Sequence, residues 1–196
     1  MTLVKPRFSN FEEYLSLEPS ALLEGRCEYW DGELIPVMSE SIDNIGIANY
    51  LFVLLINLGI PIRLLCPHAC EVEVPGEPRT RYPDLTLLAE EHLSLLKKKA
   101  TITRQMPPPR LLVEVVSPGN ESSKNYRRDY EEKSAQYAAI GVFEYWIVDP
   151  DRQVVSVGVL ISGEYRFECF ANDQAILSQT FPSLELTALQ LLEAKK

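Results

Sequence analysis

The stretch Leu111-Leu112-Val113-Glu114-Val115-Val116 constrains the fold of this chain more than any other. It is apolar at both alternating sets of positions, the pattern of a central strand covered on both faces rather than of one turned half to water. A single carboxylate interrupts it. An isolated ionised carboxylate is costly in such surroundings, so Glu114 must be paired, protonated or bound to a cation.

Around this strand the chain alternates helical and extended segments. Ser9-Asn10-Phe11-Glu12 has the form of a capping box opening a short helix. Cys27–Trp30 and Glu33–Val37 flank Asp31-Gly32, a two-residue hairpin signal. Ser41 caps a helix whose Ile47, Leu51, Leu54, Leu55 and Leu58 share one stripe, and Gly59 and Pro61 end it. Strands are expected over 62–66 and 70–74, the latter alternating Cys70, Val72 and Val74 with Glu71 and Glu73. Tyr82–Leu88 is a further strand, with Pro83 tolerated near its start. A polar, partly helical excursion through Lys97-Lys98-Lys99 leads to the Glu114 strand. A long helix then runs from about Lys124 to Ile140, closed by Gly141. Strand 144–150, two strands about Ser162-Gly163 and a helix capped by Thr187 complete the chain. These elements indicate an α/β fold with a mixed central sheet flanked by helices, an N-terminal β-hairpin and additional C-terminal strands.

A length of 196 residues fits one domain, here 1–196. With 46% apolar and 24% charged residues, disorder is excluded. The longest apolar stretch, Ile45–Ile56, carries Gly46 and Asn49 and is shorter than the roughly 20 residues that span a bilayer, so no membrane association is expected. Met1–Asn10 lacks signal-peptide features, and the scattered Cys27, Cys66, Cys70 and Cys169 suit free thiols, so a cytoplasmic location is expected.

Asp84 and Glu114 stand on different strands. If the strands are neighbours, their carboxylates offer the oxygen ligation that Mg²⁺ prefers. Lys133 supplies a positive charge suited to a phosphate, or is a solvated lysine paired with Asp129 four residues earlier. Asp129, Lys133 and Tyr137 are spaced by four and share a helical stripe. Cys66-x-His68-x-Cys70 mixes zinc ligands, but alternate strand positions do not wrap a tetrahedral ion. Trp30, Tyr145 and Trp146 read as core or interface aromatics. His92 has no legible role, and Ser117 lacks a triad context.

Four ordered strings then meet a known family. Tyr82-Pro83-Asp84, Glu114-Val115-Val116-Ser117-Pro118, Arg128-Asp129-Tyr130-x-x-Lys133-x-x-x-Tyr137 and Glu144-Tyr145-Trp146-x-x-Asp149-Pro150 resemble the restriction endonuclease family designated domain of unknown function 820. It belongs to the PD-(D/E)XK nuclease superfamily and is numerous in cyanobacteria. Glu28-x-x-Asp31-Gly32-Glu33-Leu34 and Phe181-Pro182-x-Leu184 match as well. The resemblance implies a restriction-endonuclease-like core and phosphodiester hydrolysis of nucleic acid, DNA foremost, with Mg²⁺ or Mn²⁺. It makes Asp84, Glu114 and Lys133 catalytic and Asp84, Glu114 and Glu28 metal ligands. Asp129 and Tyr137 are then supports orienting Lys133, and superfamily precedent implies a homodimer. Two positions depart from the pattern. The superfamily lysine two residues after the second acid is Val116 here, with Lys133 supplying the charge from the following helix. Asn44 stands where many relatives carry a histidine.

The overall field is acidic, with 28 Asp and Glu against 19 Lys and Arg, which argues against a simple basic nucleic-acid binder. Residues 79–133 nonetheless carry 11 basic against 8 acidic side chains, whereas the rest carries 8 against 20. Lys97, Lys98, Lys99, Arg127 and Arg128 are the candidates for contact with a nucleic-acid backbone. Two other readings stand beside the nuclease: a silent nuclease-fold binding or regulatory module, and a hydrolase of a small phosphorylated substrate.

Overall fold

A computed structural model describes residues 7–17, 25–37, 40–96, 99–119 and 124–194. In chain order the elements are α1 (Phe11–Ser16), β1 (Cys27–Trp30), β2 (Glu33–Pro36) and α2 (Ile42–Asn57), then β3 (Leu65–Pro67), β4 (Glu71–Glu73), β5 (Thr80–Arg81) and β6 (Leu85–Leu87). They continue with α3 (His92–Leu95), β7 (Thr101–Ile102), β8 (Leu111–Val115), α4 (Lys124–Arg127), a π turn (Arg128–Glu132), α5 (Lys133–Ala139), β9 (Glu144–Asp149), β10 (Val154–Ile161), β11 (Glu164–Ala171) and α6 (Ala188–Leu192). Among the described residues, no helix is long and apolar enough to cross a membrane.

A mixed six-stranded sheet carries the core in the order β11-β10-β9-β8-β6-β3, and only β8 and β9 run parallel. Every residue of β8 is buried, as its unbroken apolar pattern requires. The parallel neighbours need a crossover, which α4, the π turn and α5 provide. On α2, Ser41 accepts the Asn44 N–H at 3.1 Å, and Asn44, Ile47, Ala48, Leu51 and Leu55 form the buried face. Leu58, expected on that stripe, is 38% exposed because the helix has already ended. At the other end of the chain, Thr187 and Gln190 form the reciprocal box that starts α6.

Other expectations shift. The N-cap of α1 is Asn10 rather than Ser9: Asn10 Oδ1 accepts Glu13 N–H at 2.8 Å and the Glu13 carboxylate accepts Ser9 N–H at 2.7 Å. This frame buries Phe11 and Tyr14 in an aromatic cluster with Phe8 and Tyr29. Pro61 is followed by a 3₁₀ turn over Ile62–Leu64, so the strand there shortens to β3. In the separate β5-β4-β7 sheet both glutamates of β4 are buried. Glu71 accepts Tyr14 O–H and Thr101 O–H, each at 2.7 Å, and Glu73 accepts Arg79 Nη2 at 2.8 Å and Arg104 N–H at 2.9 Å. The long helix is not uniformly α: Lys133 N–H bonds to Arg128 O, five residues back.

The hairpin between β1 and β2 turns through Asp31 (φ 43°) and Gly32 (φ 81°), the paired positive angles of a tight antiparallel turn. A Cβ at Gly32 would stand 2.6 Å from Phe8 O. Gly32→Ala should therefore destabilise the fold by about 1–3 kcal/mol, through strained backbone and a displaced Phe8 carbonyl. Thermal unfolding would show a Tm lower by several degrees; an unchanged Tm would contradict this account.

Candidate active site

The expected neighbour relation between the two acidic strands is present. Leu85 of β6 pairs with Val113 of β8, and Asp84 N–H donates to Val113 O at 3.0 Å. Asp84 Oδ2 accepts Val115 N–H at 2.6 Å, so the side chain extends the ladder where the backbone of β6 leaves it. Asp84 and Glu114 line one cleft of about 400 Å³ together with Glu28, Glu40, Arg128 and Lys133.

Glu114 is 2% exposed and has two partners in the helix of the crossover. Lys133 Nζ donates to Oε2 at 2.7 Å and Tyr137 O–H to Oε1 at 2.7 Å. Lys133 is buried, not the solvated lysine of the simpler reading, and also meets Asp129 Oδ1 at 2.9 Å. Arg128 closes the far side of Asp129, with Nε at 3.0 Å from Oδ1 and Nη2 at 3.1 Å from Oδ2. Charges thus alternate from Glu114 through Lys133 and Asp129 to Arg128. Tyr137 differs from its expected part: it touches the Glu114 carboxylate rather than Lys133.

Burial pushes the Glu114 carboxyl up to about 7, with Asp84 and Asp129 adding to the rise and Lys133 opposing it. Burial raises Asp84 as well, against His68 and Lys133. For Asp129, burial works upward, yet Lys133 and Arg128 hold the carboxyl below its usual range. Burial works downward on Lys133, yet Asp129 and Glu114 hold the ammonium above its usual range. Burial is the largest cause at both raised carboxyls, and nearby carboxylates add to each, Asp84 and Asp129 to Glu114 and Glu40 to Asp84.

Beside this chain of charges lies a second group that sequence reasoning passed over. Glu40 precedes α2, His68 follows β3 and Asp84 precedes β6, and one ligand atom from each lies within 4.8 Å of the others. His68 Nδ1 is 3.0 Å from Glu40 Oε2 and 3.7 Å from Asp84 Oδ1. The carboxylates of Asp84 and Glu40 beside it raise the imidazole to about 9, against burial. Burial would raise Glu40, but His68 and Arg26 lower it to about 2. His68 therefore joins two carboxylates rather than the cysteines of Cys66-x-His68-x-Cys70. The usable signal was register: Pro67 pairs with Leu85, so the next residue in β3's direction meets the one before β6.

Among the other expected site residues, Glu28 reaches the cleft but is held by Arg81 Nη1, 3.4 Å from both oxygens, and does not join Glu40, His68 and Asp84. Asn44 Nδ2 donates to Val115 O at 3.1 Å and Val116 O at 3.3 Å, fastening the start of α2 to the end of β8. Lys99 Nζ donates to Tyr14 O at 2.7 Å and stands 3.9 Å over its ring, so it is engaged with the N-terminal aromatics. Arg127 is exposed, and Lys97 and Lys98 lie outside the described residues. His92 proves structural: buried, it accepts Ala89 N–H and meets Pro107 O at 2.8 Å. Tyr145 and Trp146 are core residues, whereas Trp30 is 48% exposed.

The family described as "Uma2: Putative restriction endonuclease" matches residues 11–189, and the chain belongs to that family. Among solved structures, the chain is similar to the crystal structure of "a putative nuclease belonging to DUF820" from Anabaena variabilis. The identity is 18%, covering 94% of this chain and 98% of that one, with a TM-score of 0.67, a likeness of fold. No curated protein matches the chain.

Removing one member of a buried ion pair leaves the other uncompensated. Lys133→Met should cost about 3–5 kcal/mol in denaturant unfolding. Adding Glu114→Gln to it should restore a large part of that loss, because the two groups share one interaction. Strict additivity of the two substitutions would show that the pair does not act as a unit.

Proposed function

We propose that this chain is a divalent-metal-dependent nuclease that hydrolyses phosphodiester bonds of nucleic acid, with DNA as the preferred substrate. The observation that carries this reading is the convergence of two buried carboxylates, Asp84 and Glu114, on one cleft with a buried lysine at 2.7 Å from the second. Membership of a restriction endonuclease family supports it.

The residues fit a hard divalent cation. Asp84 Oδ1 faces His68 at 3.7 Å, beyond hydrogen-bond reach, and each Glu114 oxygen retains a lone pair beyond its one described donor. Asp84 and Glu114 would hold Mg²⁺ or Mn²⁺, which supplies Lewis-acid polarisation of the phosphoryl group when bound. Lys133 is held charged by Asp129 and Glu114, so it offers a fixed positive charge to the oxygens of the phosphate as negative charge grows there. Arg128 lines the same cleft, and the part of its guanidinium that Asp129 does not take would meet a backbone phosphate. Tyr137 is a positioning residue that fixes the Glu114 carboxylate. Glu28 is fixed in turn by Arg81 and adds negative charge at the cleft wall.

Purified protein should nick supercoiled plasmid in Mg²⁺ or Mn²⁺ and lose this activity in chelator. Asp84→Asn keeps an acceptor for Val115 N–H while removing the charge, so it should fold normally, yet cleave at least roughly a hundredfold more slowly. Lys133→Met, assayed at a temperature where circular dichroism shows it folded, should fall by a similar factor. Full activity in Asp84→Asn, or cleavage that persists in chelator, would overturn the reading. Turnover confined to small phosphodiesters would move it to the small-substrate hydrolase.

A further inference from the structure

We infer that Glu40, His68 and Asp84 form a second cation seat, with mixed nitrogen and oxygen donors, which shares Asp84 with the Asp84–Glu114 pair and takes a borderline divalent ion of the Mn²⁺ class. It deepens the nuclease reading and rests on it only through Asp84. Glu40 Oε2 and both ring nitrogens of His68 are buried and make no hydrogen bond, although Nδ1 is 3.0 Å from Oε2. The two atoms are close but misaligned for a hydrogen bond. Buried polar atoms ordinarily have hydrogen-bond partners, and those that lack them in a native site need an explanation, of which a bound ion is one. Glu40 Oε2 and His68 Nδ1 face each other and Asp84 Oδ1.

The backbone holds the seat open. His68 has φ 54°, a left-handed conformation that is uncommon for a non-glycine residue and tends to occur where a ligand is clamped. Its N–H donates to Asp84 O at 3.0 Å, which locks β3 and β6 together at the seat. Arg26 takes Glu40 Oε1, leaving Oε2 to point at the imidazole. Val115 N–H takes Asp84 Oδ2, leaving Oδ1 on the same side. Each of the two carboxylates thus has one oxygen anchored and one presented. An imidazole nitrogen beside two carboxylate oxygens favours Mn²⁺ and later first-row ions over Mg²⁺, which prefers oxygen and keeps its waters.

The probe is Mn²⁺ alone, followed by calorimetry and by pulsed EPR, in which a coordinated imidazole gives nitrogen-14 modulation. His68→Asn removes the imidazole with a residue that tolerates the left-handed backbone, Glu40→Gln removes one charge, and Glu114→Gln disables the neighbouring pair while Asp129 still compensates Lys133. The wild-type chain should bind two Mn²⁺ ions, one with nitrogen modulation. His68→Asn should retain one ion without modulation, Glu40→Gln should weaken the modulated ion at least roughly tenfold, and Glu114→Gln should retain one ion with modulation. A single unmodulated ion that is lost in Glu114→Gln and indifferent to His68→Asn would overturn the second seat and leave the nuclease reading standing. A single modulated ion that is lost in His68→Asn and unchanged in Glu114→Gln would establish the seat and remove Glu114 from metal binding. Absence of Mn²⁺ binding in the wild type would overturn both.

Discussion

The salt bridge between Glu114 and Lys133 is the interaction on which the arrangement of this molecule turns. A carboxylate in the middle of a strand buried on both faces is tolerable only if a cation is brought to it through the core. The crossover helix does this, because it must pack over the same sheet to connect parallel β8 and β9. Lys133 in turn needs more than one carboxylate, and Asp129 and Arg128 extend the alternation outward until it reaches the cleft rim. Tyr145, from the neighbouring strand, donates to Asp129 O at 2.8 Å, so the helix is fixed by its backbone as well as by its charges. The charge of the cleft and the placement of the helix therefore rest on the same atoms.

Much of this was legible from the residues. The doubly apolar pattern of 111–116 identified a central strand and made Glu114 anomalous, and the i, i+4 spacing of Asp129, Lys133 and Tyr137 put three polar groups on one stripe. What remained hidden depended on long-range pairing. Alternation in 70–74 reads Glu71 as outward-facing, yet its partners Tyr14 and Thr101 come from 57 and 30 residues away and let it turn inward. His68 and Glu40 carried no local signal, since the antiparallel pairing of β3 with β6, and the approach of the loop before α2, decide what they face. The first capping box slipped by one residue because two adjacent frames were chemically possible and only one buries Phe11 with Tyr14.

The N-terminal hairpin is tied to the site through backbone and charge rather than through the main core. Arg79 N–H donates to Tyr29 O, Thr80 Oγ1 accepts Tyr29 N–H, and the next residue, Arg81, reaches Glu28 and Glu132. Arg81 is 2% exposed, so a buried guanidinium joins the hairpin, the small sheet and the crossover helix at one point. Gln136 completes its environment at 2.9 Å. The cleft wall that carries Glu28 is thus linked through Arg81 to the helix that carries Lys133.

The π turn at Arg128–Glu132 adds a constraint of a different kind. A helix that closes one turn with an i→i+5 bond holds one residue more than an α turn does over the same stretch. The wide turn takes up that extra residue, so the helix on either side keeps the facing it would have in a regular helix one residue shorter. In a regular helix Arg128 and Lys133, five residues apart, would stand about 140° apart around the axis. Here both reach Asp129 Oδ1, at 3.0 and 2.9 Å, so the wide turn narrows the angle across which two cations share one carboxylate.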